Sequence, residues 1–173
     1  MHCIQFIATQ ADSKQEAFDE VKANLENRMG DDENPSSWYD WFVTGGGRWS
    51  TSDDPYNDDY IADVAHQSDS KFQEYVDTAA KFRSEELARY VDKARQLNLS
   101  EVLDLVEAGE EDYFKVGHQL YDIKQIYEMT FGMWNFNSYF FDIVNGDISP
   151  KYMQESIDNG AKNWYLVPVD FHF

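Results

Sequence analysis

The two ends of the chain repeat one pattern, in which a short run of β-forming residues, an amphipathic helix and a second β-forming run follow each other. The runs lie at residues 2–8 and 38–44 near one end, and at 137–144 and 164–173 near the other. Short runs rich in β-branched and aromatic residues predict strands. The order β-α-β-β-α-β predicts an α+β fold, a ferredoxin-like antiparallel sheet, with residues 1–173 forming a single domain.

The predicted helices begin at recognisable caps. Ser13 has the spacing of a capping box to Glu16, and Gly30 is a typical stop, so a helix is expected between the first two strands. A second capping box at Ser70 opens a helical pattern that extends over 70–97. We expect this segment to be the longest helix of the chain.

Two further helices are predicted at 100–109 and 113–131. Residues 50–132 therefore form an acidic loop and a helical insertion within the central hairpin. Ser149 as N-cap, with Pro150 at the first helical position, predicts the helix that precedes the last strand.

The last strand places apolar side chains on one face, at alternate positions: Tyr165, Val167, Val169, Phe171 and Phe173. Pro168 lies on the other face and has no backbone N–H to donate. We therefore expect this strand to lie at a sheet edge or to contain a bulge.

Charge and cysteine content limit the partners and the compartment. The net charge of −19 repels phosphate backbones and anionic lipid surfaces, so direct binding to nucleic acid or to a membrane is not expected. Cys3 is the only cysteine. No disulfide can form within the chain, and we expect a packed thiol in a reducing, cytoplasmic environment.

The loop Gly45, Gly46, Gly47, Arg48 and Trp49 is the first candidate site. Consecutive glycines allow backbone amides to approach an anion, and an arginine can bind a phosphate or carboxylate through two parallel hydrogen bonds. The sequence matches neither a P-loop nor a GxGxxG motif. The alternative is a tight exit from the strand, in which Arg48 pairs with a carboxylate such as Asp40 or Asp142.

Asn135 and Asn137 alternate with Trp134 and Phe136 and complete this candidate ligand site. Amides in an apolar setting need hydrogen-bond partners if they are buried. Either a ligand or the backbone could supply those partners. The aromatic side chains could stack on a nucleobase or simply fill the core.

A second candidate site is an acidic, partner-binding face formed by these residues: Asp31, Asp32, Glu33, Asp53, Asp54, Asp58 and Asp59. If folding gathers them, they could imitate the charge of a nucleic-acid backbone. The alternative is that they serve solubility alone. The spacing of calcium-binding loops is absent, and no motif predicts a metal, a cofactor or a catalytic residue.

Three segments, WYDWFVTGGGRWS, WNFNSYFFDI and NWYLVPVDFHF, resemble the signature blocks of a family of small uncharacterised proteins of tailed bacteriophages. The resemblance implies a phage origin but no activity, and phage proteins of this size often inhibit a host or defence enzyme. Together with the net charge of −19, it predicts an acidic interaction protein, a binder rather than an enzyme, that inhibits a host or defence protein with a basic surface in the host cytoplasm. The alternative is a binder of a nucleotide or a signalling anion at the glycine loop.

Overall fold

The structure, a computed structural model, describes residues 1–31, 34–35, 37–107, 113–131, 134–143 and 150–173. Within these ranges the elements are β1 (His2–Gln10), α1 (Lys14–Met29), β2 (Gly30–Asp31), β3 (Asn34–Pro35), β4 (Trp41–Thr44), a 3₁₀ helix (Gly47–Trp49), β5 (Ala65–His66), α2 (Ser70–Arg95), α3 (Leu99–Glu107), α4 (Tyr113–Phe131), β6 (Phe140–Asp142), α5 (Pro150–Asp158) and β7 (Trp164–His172). Among the described strands, the short β2 and β3 pair only with each other.

One mixed sheet forms the centre of the fold, with strand order β4-β7-β1-β6. β1 and β7 are antiparallel along their whole length. β4 and β5 both pair with the other side of β7, one after the other. β6 runs parallel to β1, with Phe6 opposite Phe140.

The prediction of an α+β fold is confirmed, but the ferredoxin-like antiparallel sheet is wrong. In that topology the second and third predicted strands would pair as a hairpin, whereas β4 pairs with β7 and β6 runs parallel to β1. A hairpin depends on a short connection. Residues 45–139 separate β4 from β6, so the chain does not hold these two strands together.

The prediction that the last strand lies at an edge is also wrong. β7 is flanked by β1 on one side and by β4 and β5 on the other. Pro168 is tolerated in this central position because it lies opposite the interval between β4, which ends at Thr44, and β5, which begins at Ala65. No strand in that interval requires the N–H that proline lacks.

Both faces of the sheet are covered by helices. The first face packs against α1 and carries the apolar side chains predicted for the last strand; its buried members include Ile7, Phe18, Val21, Leu25, Tyr165, Val167, Val169 and Phe171. The second face packs against α2 and α5, with Ile4, Phe6, Ala8, Phe72, Val76, Ala79, Met153 and Leu166. Burial on both faces stabilises the sheet through the hydrophobic effect.

The helix caps agree only partly with the predicted ones. Ser13 caps α1, because its hydroxyl accepts the N–H of Glu16 at 3.1 Å. The predicted cap at Ser70 is wrong, since Asp69 is the N-cap of α2 and Ser70 is the first helical residue. Pro150 begins α5 as predicted, and Ser149 lies outside the described residues.

The predicted insertion forms a helical layer on the second face. The first half of α2 packs on the sheet, its second half packs on α4, and α3 packs on α4. Across the described ranges, every helix is too short or too polar to cross a membrane.

Cys3 lies on β1, partly buried against the first face of the sheet. Burial, and secondarily the carboxylate of Asp170, raises the pKa of its thiol from 9.0 to about 12. The thiol therefore stays protonated at neutral pH, and only the thiolate is a good nucleophile.

We predict that iodoacetamide modifies Cys3 about a thousandfold more slowly in the folded protein at pH 8 than in urea, because each unit of pKa lowers the thiolate fraction about tenfold. Mass spectrometry of timed samples measures both rates. Equal rates in the folded and unfolded protein would show that Cys3 is not shielded.

Candidate functional site

The glycine loop turns the chain out of β4 through left-handed backbone conformations. Gly45, Gly46 and Gly47 have φ values of +91°, +97° and +49°. A Cβ atom at Gly45 would lie 2.1 Å from the carbonyl oxygen of Tyr60, and one at Gly47 would lie 2.5 Å from the Cβ of Asp170. These two glycines are required by the turn itself, whether or not a ligand binds.

Hydrogen bonds within the protein already occupy several amides of this loop. Gly45 donates to the carbonyl of Pro168 at 2.9 Å, and Arg48 donates to Oδ2 of Asp170 at 3.3 Å. Trp49 and Ser50 donate to carbonyls within the loop. These four amides are therefore not free to hold an anion.

Asp170 is the buried carboxylate on which the loop rests, with 1% of its surface exposed. Besides Arg48, it bonds to Nδ1 of His2 at 2.9 Å. The ring of His2 also contacts Trp41 and His172, and Nδ1 of His172 lies 2.6 Å from Asp40. Sequence reasoning missed this cluster. Asp170 stands in an otherwise apolar strand, and a buried carboxylate needs hydrogen-bond partners, so its position could have indicated the cluster.

Arg48 lies at the surface of the fold. Arg48 and Trp49 are both exposed, Trp49 by 48%. Within the described ranges Arg48 forms no ion pair, and Asp40, one of its expected partners, bonds to His172 instead. The interpretation of Arg48 as an internal ion pair with Asp40 is therefore wrong.

Asn135 and Asn137 belong to a network that joins three elements. Nδ2 of Asn137 donates to Oε1 of Gln125 at 2.7 Å and to the hydroxyl of Tyr90 at 3.1 Å. Nδ2 of Asn135 donates to Glu128 at 3.0 Å. Neither asparagine depends on a ligand for its hydrogen bonds, since side chains of α2 and α4 supply them.

The structure does not bring the glycine loop and these asparagines into one site. The loop follows β4 at one edge of the sheet, and the asparagines precede β6 at the other edge. Three strand spacings separate those edges, about 14 Å. A small ligand held by Arg48 would not reach Asn137.

The acidic loop after the 3₁₀ helix docks against α1. Nζ of Lys22, on α1, lies 2.8 Å from Oδ2 of Asp58 and 3.4 Å from Oδ1 of Asp59. Oδ1 of Asp58 also accepts the N–H of Thr44 at 3.1 Å. Asp58 therefore holds the loop in place as well as adding charge.

The docking of this loop brings two acidic segments together. Asp19 and Glu26 are exposed one helical turn on either side of Lys22, so they flank the docked loop. We call the resulting surface the acidic face; its members are Asp19, Glu26, Asp53, Asp54, Asp58 and Asp59. It contains six carboxylates and one ammonium group, that of Lys22.

Other predicted acids lie elsewhere or outside the described ranges. Asp31 is in β2, directly after α1, whereas Asp32 and Glu33 are not described. The acids of α3 lie in the helical layer on the second face of the sheet, because α3 packs on α4. The structure thus places Asp58 and Asp59 beside Lys22. Asp53 and Asp54 belong to the same loop, and the two acids of α1 are ones that the sequence did not single out.

Asp63 is a structural acid at the end of the same loop, with 2% of its surface exposed. It accepts the N–H and the hydroxyl of Thr51 at 2.6 and 2.8 Å, and Nζ of Lys71 lies at 2.5 Å. Burial alone would raise its pKa, but the hydrogen bonds from Lys71 and Thr51 lower the pKa below its ordinary value.

Comparisons of the chain with protein-family models, with curated proteins and with solved structures find no match. Among the described side chains, no three histidine, cysteine or acidic residues are placed to hold a metal ion.

We predict that Gly45→Ala lowers the free energy of unfolding by about 3 kcal/mol, because the methyl group meets the Tyr60 carbonyl and the left-handed backbone is strained. The matched control is Gly117→Ala in α4, where a Cβ meets nothing within 4 Å. This control should gain about 0.5 to 1 kcal/mol. Urea denaturation measures both, and a Gly45→Ala variant as stable as the parent would contradict the prediction.

We also predict that Asp63→Ala costs about 3 kcal/mol at pH 7, because it leaves Lys71 and the amide of Thr51 without their partner. The exposed Asp53→Ala should change stability by no more than about 0.5 kcal/mol. Because the pKa of Asp63 is lowered in the folded state, its contribution is complete above the ordinary aspartate pKa of about 3.9 and is lost in more acidic solution. The difference between parent and Asp63→Ala should therefore shrink below pH 4, as denaturation at several pH values will show.

Proposed function

We propose that the protein is an acidic interaction protein that uses the acidic face to bind a basic surface of another protein. One observation carries this proposal: Lys22 holds Asp58 and Asp59 beside α1 and so joins two acidic segments into one surface. A surface of one charge sign steers an oppositely charged partner and raises the rate of association.

The partner class follows from the same electrostatics. A surface that binds nucleic acid is rich in lysine and arginine, and it accepts a dense row of negative charges. Carboxylates fixed on a protein scaffold can occupy such a surface without a nucleic acid. Together with the resemblance to phage proteins, this supports a host or defence protein as the target and inhibition as the result.

The glycine loop offers weaker support for a second function, the capture of a nucleotide or a signalling anion. The exposed guanidinium of Arg48 favours it. The amides of Gly45 and Arg48 are already hydrogen-bonded within the fold, however, and Asn137 lies at the other edge of the sheet. We therefore place binding to a basic protein first.

The experiment compares two variants with the same change of charge. The first replaces Asp53, Asp54 and Asp59 by Asn; it spares Asp58, which bonds to Thr44. The control carries Asp77→Asn, Glu85→Gln and Asp92→Asn, which are exposed on α2 in the helical layer. Proteins that the parent captures from a host lysate are eluted with duplex DNA and identified. They are then purified so that their rates of association with each variant can be measured.

We expect the acidic-face variant to associate with the captured protein at least about tenfold more slowly than the parent, and the control to associate at nearly the parent rate. Because exposed charges are screened over about 8 Å at physiological salt, binding should weaken as salt is raised. Binding that is insensitive to salt, or equal losses in the two variants, would show that the acidic face is not the binding surface.

A further inference from the structure

A cavity of about 310 Å³ opens between the start of β1, the second half of α2, α4 and the segment 134–139. Aromatic rings form much of its wall: Tyr90, Tyr121, Phe136, Tyr139 and Phe173. Its volume lies at the lower end of the range for small-molecule sites, enough for one ring system. Flat aromatic walls favour a flat ligand, because stacked rings bury the most apolar surface.

One carboxylate determines the orientation of Asn137, the amide on this wall. Glu128 can only accept, so Gln125, at 3.2 Å, must turn its Nε2 toward Glu128 and its Oε1 toward Asn137. Asn137 must then present Nδ2 to Gln125, and the same nitrogen donates to the hydroxyl oxygen of Tyr90. Tyr90 therefore accepts a hydrogen bond from Asn137.

This orientation leaves the hydroxyl proton of Tyr90 for the cavity. Tyr90 and Tyr121 both line the cavity, and their ring centres lie 6.3 Å apart. Because the oxygen of Tyr90 accepts from Asn137, the proton of this hydroxyl can be donated to an acceptor in the cavity. Burial raises the pKa of both groups, that of Tyr121 to about 12, so both are protonated at neutral pH.

Two further features shape the cavity. Tyr139 has a φ of +56°, which is an outlier for a bulky side chain, and such strain tends to occur at binding sites. The guanidinium of Arg89 lies over the ring of Tyr90, 4.6 Å from its centre, and pairs with Glu86. Arg89 therefore offers further N–H donors, while Glu86 offsets its charge.

We propose that this cavity binds a small, uncharged, planar ring that carries a carbonyl oxygen, the chemistry that uracil and hypoxanthine share. The rings of the wall stack on the ligand, and the hydroxyl of Tyr90 and Arg89 donate to its carbonyl. An uncharged ligand is favoured over an anion because Glu86 offsets Arg89 and the whole chain carries a net charge of −19. The site is independent of the acidic face.

Titration of isotope-labelled protein with uracil and hypoxanthine tests the proposal. We expect saturable shifts of backbone amide signals in α2, α4 and the segment 134–139. Arg89→Ala and Tyr90→Phe should each weaken binding about tenfold, the effect of one hydrogen bond. Variants that all bind as tightly as the parent, or the absence of shifts at millimolar base, would overturn the proposal.

Matched controls lie on the same two helices. Arg95→Ala removes an arginine of α2 that pairs with Asp92 of the same helix. Tyr127→Phe changes an exposed tyrosine of α4. Neither residue lines the cavity. Both should bind the bases as the parent does, and a loss equal to that of Arg89→Ala would contradict the assignment.

Benzoate should bind more weakly than uracil, and tighter binding of benzoate would show that the ligand is an anion. The acidic-face variant should keep full affinity for the bases, so each proposal can fail without the other.

Discussion

Pro168 determines where the chain leaves the sheet, and the acidic face depends on that exit. In an antiparallel sheet the N–H and C=O of one residue point to the same side. On that side of Pro168 only the carbonyl can bond, and it accepts the N–H of Gly45. The neighbouring strand therefore stops at Thr44 and resumes at Ala65. The interval of chain between them contains the loop that Lys22 holds against α1.

The sequence predicted the elements of the fold well, because local patterns determine them. The alternation along 165–173 correctly assigned a buried face, and helical spacing over 70–97 and 113–131 found α2 and α4. A period of two shows which face of a strand is buried, but it does not show which strand lies beside it. The order of the strands depends on the path of a connection of more than ninety residues. No local pattern in that connection shows which strands become neighbours. Pro168 predicted a sheet edge, but a gap beside a central strand accommodates the missing N–H as well as an edge does.

The candidate sites were less predictable than the fold. For the glycines at 45–47 the sequence left an anion site and a tight exit from the strand as alternatives, and only the structure shows that Tyr60 and Asp170 are the groups that require glycine there. The partners of Asn137 come from α2 and α4, far away in the sequence, so no motif could identify them. The same is true of the tyrosine cavity. Its wall is assembled from five separate segments, and the orientation of its hydrogen-bonding groups depends on Glu128, which no local pattern singles out.

The acids of this chain have two different roles, and one makes the other possible. Asp63 and Asp170 are buried, and each accepts hydrogen bonds that fix one end of the segment between β4 and α2. The exposed acids of the acidic face repel one another, which destabilises any arrangement that holds them close. The buried acids fix the loop by hydrogen bonds, and Lys22 fixes it by ion pairs with Asp58 and Asp59. The exposed carboxylates therefore stay together despite that repulsion. The partner that we propose would then meet a surface that is already formed, and binding would not incur the entropy loss of ordering a mobile loop.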